Sequence, residues 1–298
     1  MRKEIQDIES PAGILGMKFM YKRSWYSQNI NHSLPSPSPS PSPQQPSHQW
    51  FHLDHLTMKF TTLLTTALTA LPILADSSFP WERLNKNDSL LIIVDLQEGL
   101  YNLARDYDPT LFKQNMLAHS ALGLAFPTLP VILTTSASTG PNGPLPQEIL
   151  DMYPTAPVIA RQGEVNAWDS PEFRAAVKAT GKKQIILAGI VTDVCTAFLA
   201  RSLRAEGYSV WANQEASGTV TKEIRDLAND QMMRAGVNVV SLFSIVCDLM
   251  RDWRSSPGAK EILPWLDTYM PVYGMLARGH RAAVENGTLI PGEADLPL

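Results

Sequence analysis

The chain has 298 residues, 44% of them apolar and 18% charged, with a formal net charge of −4. That is material for one good core, in one domain or two, and no basic stripe of the kind that binds nucleic acid occurs. Two cysteines, Cys195 and Cys247, are too few for a disulfide framework, and both are expected to be reduced.

Residues 1–57 carry a Ser-Pro repeat, Ser33 to Pro43, which forms extended polyproline-like chain but no packed core. This extension reads as disordered, with a proline-binding partner module as the functional alternative. Residues 58–76 have the layout of a secretory signal peptide: Met58, Lys59, an apolar and Thr-rich stretch, then the small residue Ala75. A signal peptide belongs at the start of a chain, so translation from Met58 is the natural explanation. An internal signal-anchor and an amphipathic or disordered extension are the rival readings. The 16 uncharged residues from Phe60 to Ala75 fall short of the ~20 apolar residues of a membrane span, so no stable span is expected. The protein is secreted if this segment acts as a signal and cytoplasmic otherwise. Asn87 and Asn286 are formal glycosylation acceptors that matter only in the first case.

From residue 88 onward strand and helix patterns alternate. Apolar runs fall at 90–95, 131–135, 158–160, 184–190, 209–212 and 237–240, with helix-like stretches at 109–126, 146–152, 171–180, 193–206, 221–235 and 242–254. Short β-rich runs separated by amphipathic helices predict an α/β domain over 80–255, a parallel sheet covered on both faces. Residues 256–298 read as a helical or irregular tail interrupted by Pro264, Pro271 and Pro291, which wraps the domain or contacts a neighbouring subunit.

Two strand ends carry the chemistry. The run Leu90–Val94 ends in Asp95, with Gln97 close behind. An acid at the carboxyl edge of a buried strand sits where open α/β sheets bind ligands, and is either a base or a helix cap. The run Gln184–Ala188 leads into Gly189-Ile190-Val191-Thr192-Asp193-Val194-Cys195, which places a cysteine at a strand-to-helix turn. There the helix dipole and unpaired N–H groups favour thiolate, the state of a nucleophile. A buried structural cysteine is the alternative. Thr192 and Asp193 read as helix caps, and Cys247 as a packing residue of the apolar stretch 242–250.

These residues resemble the isochorismatase-like cysteine hydrolases, and among them the YcaC-related branch. The resemblance is carried by Asp95 with Gln97, the loop Thr134–Pro144, Ile159–Gly163 with Asn166–Asp169, the Gly189–Cys195 turn, Ala216–Thr219 and Arg251–Arg254. It implies a three-layer α/β/α fold with a six-stranded parallel sheet, a homo-oligomer, and a triad of Asp95, a basic residue and the nucleophile Cys195. The basic residue is usually Lys in the wider superfamily. Here the matching residue is Arg161, which holds a carboxylate but exchanges no proton; an ordinary structural ion pair is its bland reading. The resemblance also implies a cis Ile190–Val191 bond and an oxyanion hole from the backbone N–H groups of Val191 and Cys195. Gln97, Ser136, Asn166 and Trp168 are candidate substrate contacts, Trp168 being equally a packing or subunit-contact residue.

The implied activity is hydrolysis of a small amide, carbamoyl or related C–N bond, with no cofactor. No metal site is expected, since four of the six His lie in the N-terminal extension and only His119 and His280 in the remainder. The competing function is a catalytically quiet oligomeric binding protein on the same fold, motivated by Arg161 in place of Lys.

Overall fold

The computed structural model describes residues 81–288. The Ser-Pro extension, the signal-peptide layout at 58–76 and Pro291 lie outside the described residues. Six strands form one sheet: β1 (Ser89–Val94), β2 (Val131–Ser136), β3 (Val158–Arg161), β4 (Gln184–Gly189), β5 (Ser209–Asn213) and β6 (Asn238–Val240). Their order is β3-β2-β1-β4-β5-β6 and every pairing is parallel. β1 and β4 occupy the middle and are buried at every residue, which is why they read as continuous apolar runs without alternation.

Alternate residues of these strands feed two cores. Leu91, Ile186 and Trp211 face one layer, built from α2 (Pro109–Ser120), α3 (Leu122–Ala125), α8 (Leu242–Met250) and α9 (Ala259–Tyr269). Leu90, Ile92, Ile185 and Leu187 face the other, built from α5 (Pro171–Ala179), α6 (Ala197–Ala205) and α7 (Lys222–Arg234). The short helices α1 (Glu98–Tyr101) and α4 (Gln147–Met152), with α10 (Pro271–Glu285), are the other α-helices among the described residues. The molecule is thus a three-layer α/β/α sandwich. Its helices start where capping chemistry directs: Asp108 accepts from the N–H groups of Thr110 and Leu111 ahead of α2, and Ser170, Thr221 and Ser241 do the same service for α5, α7 and α8.

The segment after 255 is helical as far as it is described and is broken at Pro271, between α9 and α10, but not at Pro264. Pro264 lies inside α9, and Pro271 sits in the first turn of α10, where a missing N–H costs nothing. Burial of Ile262, Trp265 and Leu266 in the first core outweighs the single helical hydrogen bond that Pro264 forgoes. Among the described residues no helix is long and apolar enough to cross a membrane.

The chain leaves β1 toward β2 on one side and resumes on the other side with β4. The carboxyl ends of β1 and β4 therefore flank the point where the strand order reverses, the crevice at which doubly wound sheets bind ligands.

Candidate active site

Asp95 follows β1 directly and adopts a left-handed backbone conformation, φ 50°, which turns it out of the strand. Its side chain is completely buried. Oδ1 accepts from the Thr134 hydroxyl at 2.6 Å, and Oδ2 pairs with Nη2 of Arg161. Arg161 ends β3, opposite Ser136 in register, and is buried as completely as its partner. Its Nη1 donates to the Glu164 carbonyl at 3.1 Å, while its buried Nε has no hydrogen-bond partner. A buried, mutually neutralising Arg–carboxylate pair is costly to desolvate and costly to break.

Cys195 approaches from β4. Gly189 ends that strand because nothing larger fits: a Cβ there would lie 2.3 Å from the Val94 carbonyl oxygen. The Ile190–Val191 peptide is cis. A π-helical turn, Thr192–Thr196, then carries Cys195 into α6, so the cysteine sits in a wider turn than a regular helix start. The turn is tied down from three directions. The Thr196 hydroxyl donates to the Gly189 carbonyl at 3.0 Å, the Thr192 N–H to the Gly218 carbonyl at 3.0 Å, and the Thr219 hydroxyl to Asp193 Oδ1 at 2.6 Å. Neither Thr192 nor Asp193 caps the turn as expected: Asp193 receives Thr219, and the Thr192 hydroxyl has no partner. Thr219 is itself held through its N–H by Asp106, which pairs with Arg225 on α7.

The electrostatics reverse one expectation. Burial pushes the Cys195 thiol up to about 12, and the adjacent Asp95 carboxylate raises it further as charge and as hydrogen-bond acceptor. A hydrogen bond from the Val191 N–H and the Arg161 charge act in the opposite sense without prevailing. The helix-start reasoning that favours a thiolate is outweighed here by desolvation and by the nearest charge being negative. The resting site holds a thiol beside a carboxylate.

The expected trio thus comes together, Asp95 paired with Arg161 and both acting on the Cys195 thiol. The four expected substrate contacts divide. Ser136 ends β2 next to Arg161 and is half-buried. Gln97 is completely buried, and its amide is consumed by the loop that follows β2: Oε1 accepts from the Ser136 N–H at 2.8 Å, and Nε2 donates to the carbonyls of Ser136 and Gly143. It shapes the loop and has no group left for a ligand. Asn166 caps the turn beneath it through the Trp168 N–H and donates to Ser202 at 2.9 Å. Trp168 is buried edge-on against Phe173 and Tyr208, its Nε1–H directed at Glu206 beyond the end of α6. Tyr208 precedes β5, so this indole belongs to the core toward the amino-terminal edge of the sheet, far along α6 from the thiol.

Thr134 and the Ser217–Thr219 segment were not singled out from the sequence as site residues. A threonine at the carboxyl end of a buried strand neighbouring Asp95 was the available signal for the first.

Comparison with known proteins bears on this geometry. Residues 89–243 match the Isochorismatase domain, which is more than half of the chain. The chain belongs to the isochorismatase family. It is 49% identical over 176 residues to the probable hydrolase YcaC of Escherichia coli, an alignment covering 59% of this chain and 84% of that one. The solved structure of E. coli YcaC, described as an octameric hydrolase of unknown specificity, superposes with TM-score 0.65 and 46% identity over 68% of this chain and 98% of its own. YcaC from Pseudomonas aeruginosa, solved with hexane-2,5-diol and covalent acrylamide, agrees to the same extent. The chain is therefore a hydrolase-family member of the YcaC-related branch.

Proposed function

We propose that this protein is a cofactor-independent cysteine hydrolase that cleaves a small amide, carbamoyl or related C–N bond through a Cys195 acyl-enzyme. The observation that carries this reading is the convergence of Cys195 with the buried Asp95–Arg161 pair at the switch point of the sheet. In the first half-reaction Asp95 takes the thiol proton as sulfur attacks the carbonyl carbon. The developing oxyanion accepts from the N–H groups of Val191 and Cys195. Collapse breaks the C–N bond, and the leaving nitrogen receives the proton from Asp95. In the second half-reaction water attacks the thioester, gives its proton to Asp95, and the departing sulfur recovers that proton as the acid is released. Arg161 exchanges no proton; it and Thr134 fix the carboxylate in place.

The raised thiol agrees with such a cycle, because a neutral thiol needs a base in contact and Asp95 is that base. Covalent acrylamide in the P. aeruginosa relative supports a reactive nucleophile in this branch, since acrylamide alkylates nucleophiles at its vinyl carbon. By the same kinship we propose a homo-oligomer acting on a small-molecule substrate. The catalytically quiet scaffold is the second reading, favoured by Arg161 standing where the wider superfamily has Lys.

The separating experiment measures two quantities in wild type and Asp95→Asn: hydrolysis across a panel of small amides, and Cys195 alkylation as a function of pH, with Cys247→Ser in both backgrounds. Burial still raises the thiol in the variant, but the Asp95 charge that adds to it is gone and Arg161 stays beside it. Alkylation at pH 8 then accelerates while turnover falls by about 10²–10⁴, the usual worth of a general base. A wild type that turns over nothing and labels only at high pH would assign the scaffold role.

A further inference from the structure

α10 rides on the outside of the sandwich, and its inner face is held by a few contacts. Tyr273 stacks on Phe243 with ring centroids 3.8 Å apart, and Arg278 pairs with Asp267 at 2.7 Å. Gly274 allows the helix to cross α9, since a Cβ there would lie 2.4 Å from Asp267 Oδ1. Its outer face is apolar and bare: Val272, Met275 and Leu276 are 77%, 65% and 71% exposed. With Gly279 these residues recur at the spacing i, i+3, i+4, i+7 and so form one stripe. Gly279 is exposed and a Cβ on it would meet nothing within 4 Å, so at that point another helix can approach the backbone closely. Leu276 also edges a hollow of about 200 Å³ walled by Phe243, Trp253, Leu263, Tyr273 and Ala277. A solvent-facing helix gains nothing from such a stripe, and contiguous exposed apolar surface of this kind marks an interaction site.

We infer that the outer face of α10 is a contact between copies of this chain, two α10 helices packing antiparallel about a two-fold axis with Leu276 of each copy over Gly279 of the other. The inference rests on the homo-oligomer reading above and names the surface that serves it. A second copy is the occupant favoured by the comparisons, since the E. coli octamer shares 68% of this chain, more of the fold than the 89–243 segment contains. A two-fold contact is self-complementary, and this stripe supplies both halves of such a contact, a bulky residue and a gap one turn apart.

The test is the native mass of the full chain by light scattering after gel filtration, for wild type, Met275→Glu and Gly279→Arg. Gly279→Arg extends into open space in a single copy, so its fold, followed by far-UV circular dichroism, stays intact. The expected result is a wild-type oligomer and at least a two-fold lower mass in both variants, with the dichroism of wild type. A wild-type oligomer whose mass neither variant changes overturns the α10 contact and leaves the homo-oligomer standing. A monomeric wild type overturns both. A chain lacking residues 289–298 that keeps its mass but gains binding of an apolar dye assigns the stripe to the chain's own C-terminal segment and likewise overturns the inference.

Discussion

The pair Asp95–Arg161 and the stripe Val272–Met275–Leu276 break the ordinary rule of burial in opposite directions. One hides two charges completely, and the other presents three large apolar side chains to solvent. Each arrangement is unfavourable for a lone folded chain, since charge wants water and hydrocarbon does not. At the sheet the structure compensates from within, through Thr134, the Glu164 carbonyl and the pairing itself. At α10 nothing among the described residues compensates. The lesson is that a violation of burial settled internally belongs to chemistry done by this chain, and one left open points to a second molecule.

Substitutions can break either side of that contrast. Arg161→Met is expected to have the largest effect on stability, about 3–5 kcal/mol in chemical denaturation, because it strands the Asp95 carboxylate in a dry interior. Arg161→Met with Asp95→Asn should recover part of that loss, and a double variant no better than the single would show that the pairing is not what matters. Gly189→Ala comes next, at about 1–3 kcal/mol, since the added methyl must push β4 away from the Val94 carbonyl. The pH dependence of unfolding sharpens the internal side further. His119 is wholly buried, with Nε2 3.3 Å from the Ile92 carbonyl oxygen, and burial lowers it to about 4 from an ordinary 6.5. Between those values the unfolded chain binds a proton that the folded chain does not. Stability therefore declines as pH falls from 6.5 toward 4 and levels off below. His119→Gln should flatten this decline in urea titrations at several pH values, and an unchanged slope would assign the acid sensitivity to other groups. The smallest effect is on the open side: Leu276→Gln should change the stability of the dissociated chain by no more than about 0.5 kcal/mol, because its side chain packs on little within one copy.

The sheet was legible in the sequence because its signal is local. Each of the six strands is an apolar run bounded by turn chemistry, and Asp95 and Cys195 stood out because a polar residue at a buried strand's end has no packing reason to be there. What escaped depends on distances between segments remote in the chain. Trp168 follows β3 by seven residues, and whether it faces the thiol or turns beneath α6 is decided by Phe173 and Tyr208. Gln97 was legible as important but not as a clamp, since the carbonyls that engage it belong to residues 136 and 143. The thiol's ionisation was misjudged for the same reason: the helix start is visible in sequence, while the carboxylate beside it is a tertiary fact. Pro264 misled because the rule against proline inside helices is local and the burial that overrides it is not.

Arg161 was introduced as an inert member of the trio, unable to take or give a proton. In the proposed cycle that inertness keeps the total charge of the cluster constant. Before reaction the negative charge sits on Asp95 and after proton transfer on Cys195, and in both states one fixed guanidinium balances it. The step moves a negative charge from the buried Asp95 to the half-buried Cys195 within reach of the same guanidinium, so no ion has to enter or leave as the nucleophile forms. A site whose base and cation are closed to solvent can then turn over without the Born cost of creating charge anew, provided that the substrate arrives uncharged at its reacting end.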